Sequence, residues 1–183
     1  MSQVKKLCIC ALCAALCCVL PTVFHGFGDQ VAGVASPMHF PVLLCGLACG
    51  WAYGGVCGLV GPILAMLVTG KPVPPRLIYM TAELITYGVL TGLFMKYIRT
   101  GKTYLDLYLS MVPAMLLGRV VGGIFEAILL GNNFFGFFVG SYLVKTAPGA
   151  VAQLIVIPAI YLMLQVAGLL PKRYGETSAL KRA

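Results

Sequence analysis

Long runs of this chain carry almost no charge, and that constrains its fold more than any short motif. Stretches at about 4–20, 37–51, 53–70, 76–98, 104–130 and 141–170 are overwhelmingly apolar. A bilayer crossing takes about 20 such residues. Hydrophobic residues make up 60% of the 183, far above soluble usage. Six spans and short loops use up the whole length, leaving nothing for a soluble domain. The expectation is an all-α membrane protein, 1–183 forming one integral membrane domain of six transmembrane helices. Between the second and third spans the turn signal is Gly50-Trp51-Ala52-Tyr53-Gly54-Gly55, and both spans are short.

Basic residues orient the chain. Lys5 and Lys6 precede the first span, Lys96, Arg99 and Lys102 lie between the fourth and fifth, and Lys172, Arg173, Lys181 and Arg182 follow the sixth. With six spans these segments share one side, predicted to be cytoplasmic with both termini. Lys71 and Arg76 are the exceptions, in the 70–76 loop. The net charge of +8 therefore reads as topology, with a basic rim suited to anionic lipid, and is no sign of nucleic acid. Lys5-Lys6, the apolar run and Gly33-Val34-Ala35 imitate a secretory signal. The supposed cleavage site lies too far past the run, and the segment reads as a span.

Against this background four charged residues stand out: Glu83, Arg119, Glu126 and Lys145. A charge at membrane depth costs roughly 2.5–3.5 kcal/mol on insertion scales, and such residues usually mark a functional site. In the fourth span Tyr79, Glu83, Thr86 and Tyr87 share one face, with Glu83 roughly 10 Å below the outer end. Arg119 and Glu126 share a face of the fifth span, with Gly122 between them. Lys145, Gly149 and Gln153 form a stripe on the sixth, and Asn132 and Asn133 sit in the loop before it. The expectation is a polar site in the outer half of the bundle. The competing expectation is internal neutralisation, such as Glu83 with Lys145 and Arg119 with Glu126, which gives little net stability over apolar packing.

Other features read as structure. All eight cysteines, between Cys8 and Cys57, lie in the first three spans. Their spacing is not that of a zinc site or a disulfide framework, so they read as small buried packing residues. Ala11 and Ala15 are one turn apart, as are Gly46 and Gly50, Gly54 and Gly58, and Gly118 and Gly122. This spacing lets helices approach closely in lipid. The Gly- and Pro-rich segment 21–41 is expected to leave the helix as an outer loop and lid, and the proline-rich 71–76 loop to start the fourth span sharply. Gly101-Lys102-Thr103 ends like a phosphate-binding loop, but Lys96 stands where the earlier glycine is required. No nucleotide site, metal site or cofactor is expected.

These residues resemble the S components of energy-coupling factor (ECF) transporters, the small substrate-capturing membrane subunits of vitamin importers. The resemblance rests on the six-span layout and on Ala11-x-x-x-Ala15. It rests further on Pro37-Met38-His39-Phe40-Pro41 before a Gly-rich second span, Thr81-Ala82-Glu83-Leu84-Ile85-Thr86-Tyr87-Gly88 in the fourth, and Gly118-Arg119-Val120-Val121-Gly122 in the fifth. It covers nearly the whole chain. It implies that Ala11 and Ala15 face a transmembrane T subunit, and that two cytoplasmic ATPase subunits supply energy. It also implies that spans four to six with the outer loops bind substrate. The expected ligand residues are His39, Tyr79, Glu83, Tyr87, Arg119, Glu126, Asn132, Lys145 and Gln153. Two rivals remain: a stand-alone proton-coupled secondary transporter using Glu83 or Glu126 as a relay, and a polytopic membrane enzyme using His25, Asp29 and His39. On the main reading the chain is not an enzyme and sits in a bacterial plasma membrane.

Overall fold

The computed structural model describes residues 1–26, 28, 33–131 and 144–174, with the backbone alone at 144 and 145. Among them are six helices and no strand: α1 (Gln3–His25), α2 (His39–Cys49), α3 (Trp51–Thr69), α4 (Arg76–Tyr97), α5 (Thr103–Leu130) and α6 (Val144–Val166). Five helices are long and apolar enough to cross a membrane. The second predicted span is the exception. With 11 residues, α2 rises only about 16 Å, half a hydrocarbon core.

The shortening has a local cause. Residues 33–35 are helical, but Ser36 takes φ 47°, the left-handed region, and Pro37 follows. Neither suits a continuous helix. The chain therefore re-enters helix only at His39, deep beside α1, where the Cys17 thiol donates to the Met38 carbonyl at 3.7 Å. The expected outer loop also starts later than residue 21. Helix α1 carries Pro21 inside it and runs to His25. The Thr22 hydroxyl donates to the Cys18 carbonyl at 2.8 Å, one way a membrane helix keeps its carbonyls satisfied around a proline.

Antiparallel α3 and α4 form the tightest seam. A Cβ on Gly54 would lie 2.3 Å from the Gly88 carbonyl oxygen, one on Gly58 2.5 Å from that of Leu84, and one on Gly92 2.2 Å from the Trp51 nitrogen. Glycine lets the two backbones touch there. Gly46 of α2 likewise presses on Thr91 and Gly88. Six cysteines fill the junction of α1, α2 and α3: Cys10, Cys13, Cys17, Cys45, Cys49 and Cys57 are buried, and all eight thiols are free.

The basic segments meet at one end of the bundle. Cys49 donates to the Lys6 carbonyl at 3.6 Å, and the Tyr53 hydroxyl to Gln3 at 2.8 Å. The chain after α6 is tied to the turn between α4 and α5: Arg173 donates to Asp106 and to the Ile98 carbonyl. Asp106, fully buried, also accepts from the Thr100 amide at 2.8 Å and from the Thr100 and Tyr174 hydroxyls at 2.6 Å each. Burial opposes the Arg173 charge, yet its hydrogen bonds to Tyr174 and Asp106 win and hold its pKa above the ordinary value. Asp106→Ala removes every acceptor at once and should destabilise the fold by roughly 3–5 kcal/mol. The expected signs are a lower Tm in detergent and faster tryptic cleavage at Lys172 and Arg173; wild-type values for both would show that the clamp contributes nothing.

Candidate functional site

The best-defined polar cluster joins α2 to α4. Glu83 is buried at 3% exposure, and its Oε1 accepts from the Tyr87 hydroxyl at 2.7 Å. The same oxygen lies 3.3 Å from His39 Nε2. On the other side of the ring, His39 Nδ1 is 3.1 Å from the Ser36 carbonyl. A carbonyl only accepts, so Nδ1 carries a proton. The other nitrogen faces the Glu83 carboxyl group. A carboxyl group set against the Tyr87 hydroxyl and the imidazole is cheaper to bury than one with no polar neighbour. The half-length of α2 makes this possible, because it sets the first residue of that helix, His39, at the depth of Glu83.

Helix α5 shapes the other wall. A Cβ on Gly118 would lie 2.2 Å from Tyr87 Cδ1, so the tyrosine ring rests on the space this glycine leaves. The ring is fully buried and tilts 58° against His39 at a centroid distance of 5.1 Å. Next along α5 is Arg119, 4% exposed, whose guanidinium donates to the Thr146 hydroxyl on α6. Two turns further along α5 Glu126 is buried, with half-buried Tyr79 of α4 near it.

Helix α6 is held close at Gly149, where a Cβ would lie 2.2 Å from the Val34 carbonyl oxygen. One turn further along, Gln153 is fully buried. Neither its Nε2 nor its Oε1 has a hydrogen-bond partner among the described residues. Between α5 and α6 lies a cavity of about 230 Å³, apolar except at Arg119 and Thr146.

Of the expected ligand residues, His39, Glu83 and Tyr87 form one cluster, and Tyr79 and Glu126 another. Arg119 and Gln153 are buried on α5 and α6. Asn132 and the side chain of Lys145 lie outside the described residues, as does Asp29. Glu83 is engaged by His39 and Tyr87, and its alternative pairing with Lys145 falls on a side chain outside the described residues. Two polar residues escaped notice in sequence, Ser36 and Thr146. Thr146 was findable, since it adjoins Lys145 and lies seven residues before Gln153. Ser36 acts through its backbone, which leaves no signal. Among the described residues no group of three or more His, Cys, Asp and Glu is placed to hold a metal ion. Ala11 and Ala15 are exposed on α1, opposite the buried Cys10, Cys13, Ala14 and Cys17, so they do not serve packing within the chain.

No curated protein and no solved structure matches the chain in a similarity search. A family model does: residues 5–161 match the substrate-specific component of ECF transporters. Buried polar side chains, contributed by four helices of an apolar bundle, are what a substrate-binding membrane subunit requires, and the chain belongs to the family of ECF transporter substrate-specific components.

Proposed function

We propose that this protein captures a vitamin or related small heterocyclic micronutrient for an ATP-driven ECF importer. It would sit in the bacterial plasma membrane with its basic end and both termini in the cytoplasm. The observation that carries the reading is Gln153. An amide buried without partners costs roughly 2 kcal/mol or more, and a donor and an acceptor on one rigid edge await a complementary edge. A substrate supplies it by entering from the outer side.

On this reading Gln153 orients the substrate and Arg119 with Thr146 meets a carboxylate or carbonyl. Glu83 accepts a hydrogen bond from a ring N–H or an amine, loosening its tie to His39 as it does so. Tyr79 and Tyr87 offer ring surface, and Glu126 lies nearer the outer mouth. Asn132 and Lys145 stay candidates for the same site. The exposed Ala11 and Ala15 leave a shallow strip on α1 against which a T-subunit helix can pack closely. Two cytoplasmic ATPase subunits would then drive release to the inside.

Co-expression with an ECF T subunit and its two ATPases tests this. Tagged wild type should bring down all three, and Ala11→Leu with Ala15→Leu should reduce recovery about tenfold or more while leaving the monomer folded. A wild type that never recovers them rejects the assignment. The buried contact between His39 and Glu83 favours one second reading: a stand-alone proton-coupled importer. That reading predicts uptake into proteoliposomes driven by a pH gradient without ATPases.

A further inference from the structure

Helix α6 carries two buried glutamines in contrasting surroundings. Gln165, 8% exposed, donates from Nε2 to the Pro171 carbonyl at 3.0 Å. Gln153 is fully buried and has a partner at neither Nε2 nor Oε1. Other buried polar groups of the bundle are engaged. The Thr91 hydroxyl donates to the Tyr87 carbonyl at 2.6 Å, and Asp106 accepts from Thr100, Arg173 and Tyr174. The large majority of buried polar side chains in folded proteins are bonded, so an amide orphaned at both ends calls for an explanation.

Its position gives one. Gly149, Gln153, Ile157 and Tyr161 form one stripe of α6 at four-residue spacing. Gly149 presses on the Val34 and Ala35 carbonyls, and Ile157 and Tyr161 are buried, so the stripe faces the bundle interior. Val151 and Ile155, on the opposite side, are more than half exposed. Gln153 does not line the groove between α5 and α6. A primary carboxamide presents an N–H beside a carbonyl oxygen in one plane. Both are satisfied together by an edge of the reverse order, an acceptor beside a donor. A carboxylate suits Nε2 and opposes Oε1, and an ammonium does the opposite. Leaving either end unpaired in the interior costs roughly 1–3 kcal/mol.

We propose that Gln153 reads a planar ring edge on which an N–H donor stands directly beside an acceptor. Cyclic amides carry this edge, as do rings with an amino group next to a ring nitrogen. The proposal rests on the chain being a substrate-binding subunit, and it narrows the heterocycle that the subunit takes. A ring with the same two groups set apart is rejected, because it leaves one end of the amide buried and unpaired.

Two isomers test this on the purified full chain in nanodiscs at pH 9. Quinolin-2(1H)-one has its N–H and carbonyl adjacent; quinolin-4(1H)-one has them at opposite ends of the ring. A third probe, 2-aminoquinoline, is neutral at this pH and carries the amino version of the edge. Nitrogen-15 glutamine labelling gives four side-chain amides, those of Gln3, Gln30, Gln153 and Gln165, and Gln153→Leu identifies the relevant signal. The 2-isomer should bind about tenfold or more tightly than the 4-isomer and shift the Gln153 signal while Gln165 stays in place. Gln153→Leu should remove the preference. Gln153→Met serves if that variant does not fold, and the isomer comparison on wild type needs no variant. Tighter binding of 2-aminoquinoline than of the 2-isomer assigns the amino edge, and the reverse assigns the cyclic amide. Equal binding of the two quinolinones overturns the proposal. So does binding that leaves the Gln153 signal unmoved, or no binding of either adjacent-edge probe up to its solubility limit. In any of these cases co-purification with the T subunit and ATPases would show that the subunit assignment survives. Loss of that co-purification in wild type would instead remove the reading beneath the proposal.

Discussion

Gly88→Leu should leave almost no folded protein. A Cβ at this position would lie 2.1 Å from the carbonyl oxygen of Gly54 and 2.3 Å from its carbon. Both atoms are backbone, so no side-chain rotation relieves the clash. The helices themselves must part. Separation then opens the neighbouring contacts of the same seam, Gly58 on Leu84 and Gly92 on Trp51. Overpacking an ordinary core costs roughly 1–3 kcal/mol, because side chains and backbone can shift a little. Here the loss extends along a whole interface and should take a large share of the 5–15 kcal/mol that typically holds a folded protein. Size-exclusion chromatography in detergent should show aggregate in place of a single peak. A wild-type profile with an unchanged Tm would mean that α3 and α4 do not meet at these glycines.

Glu83 should separate stability from binding. Glu83→Ala leaves the buried Tyr87 hydroxyl and His39 Nε2 facing a void. Breaking a buried pair in this way costs roughly 3–5 kcal/mol, and the missing atoms add a cavity term. The Tm should fall sharply. Glu83→Gln keeps an oxygen for Tyr87 and offers an amide N–H to the imidazole, so the fold should change by about 1 kcal/mol or less. Yet it removes the carboxylate that, on the proposed function, accepts from the substrate. Retention of a co-purified small molecule should then drop about tenfold or more. Glu83→Gln with wild-type retention would make the His39–Glu83–Tyr87 cluster purely structural.

Much of this was legible because membrane burial is expensive. Glu83 and Tyr87 share a helix face by spacing alone, and the hydrogen bond between them follows that spacing. Arg119 and Glu126 are conspicuous as charges at membrane depth and Gln153 for its place on the stripe with Lys145 and Gly149, and each is buried. The cysteines read as packing residues, and six of the eight are buried. What escaped notice depends on backbone conformation. Ser36 turns the chain through a left-handed φ, which makes α2 a half-helix and delivers His39 to Glu83. Composition registers Pro37 and Pro41 but not where the helix restarts. Pro21 reads as a helix end, yet α1 absorbs it because lipid offers no better state for the apolar residues beyond. The small-residue pattern at Gly118 and Gly122 suggested helix contact in general. Its particular use at Gly118, as the floor under Tyr87, requires the register of α4 against α5, which no local pattern encodes.

On the proposed function the buried polar side chains of α2, α4, α5 and α6 form a substrate site, with Gln153 the group left waiting for a partner. Native mass spectrometry of the protein after incubation with cell extract reads this out. Wild type should carry one defined small-molecule adduct. Gln153→Leu, which replaces the unpartnered amide by an apolar side chain of similar size, should fold at least as well and carry little or none of it. The same adduct at the same occupancy in both proteins would mean that Gln153 does not hold the substrate.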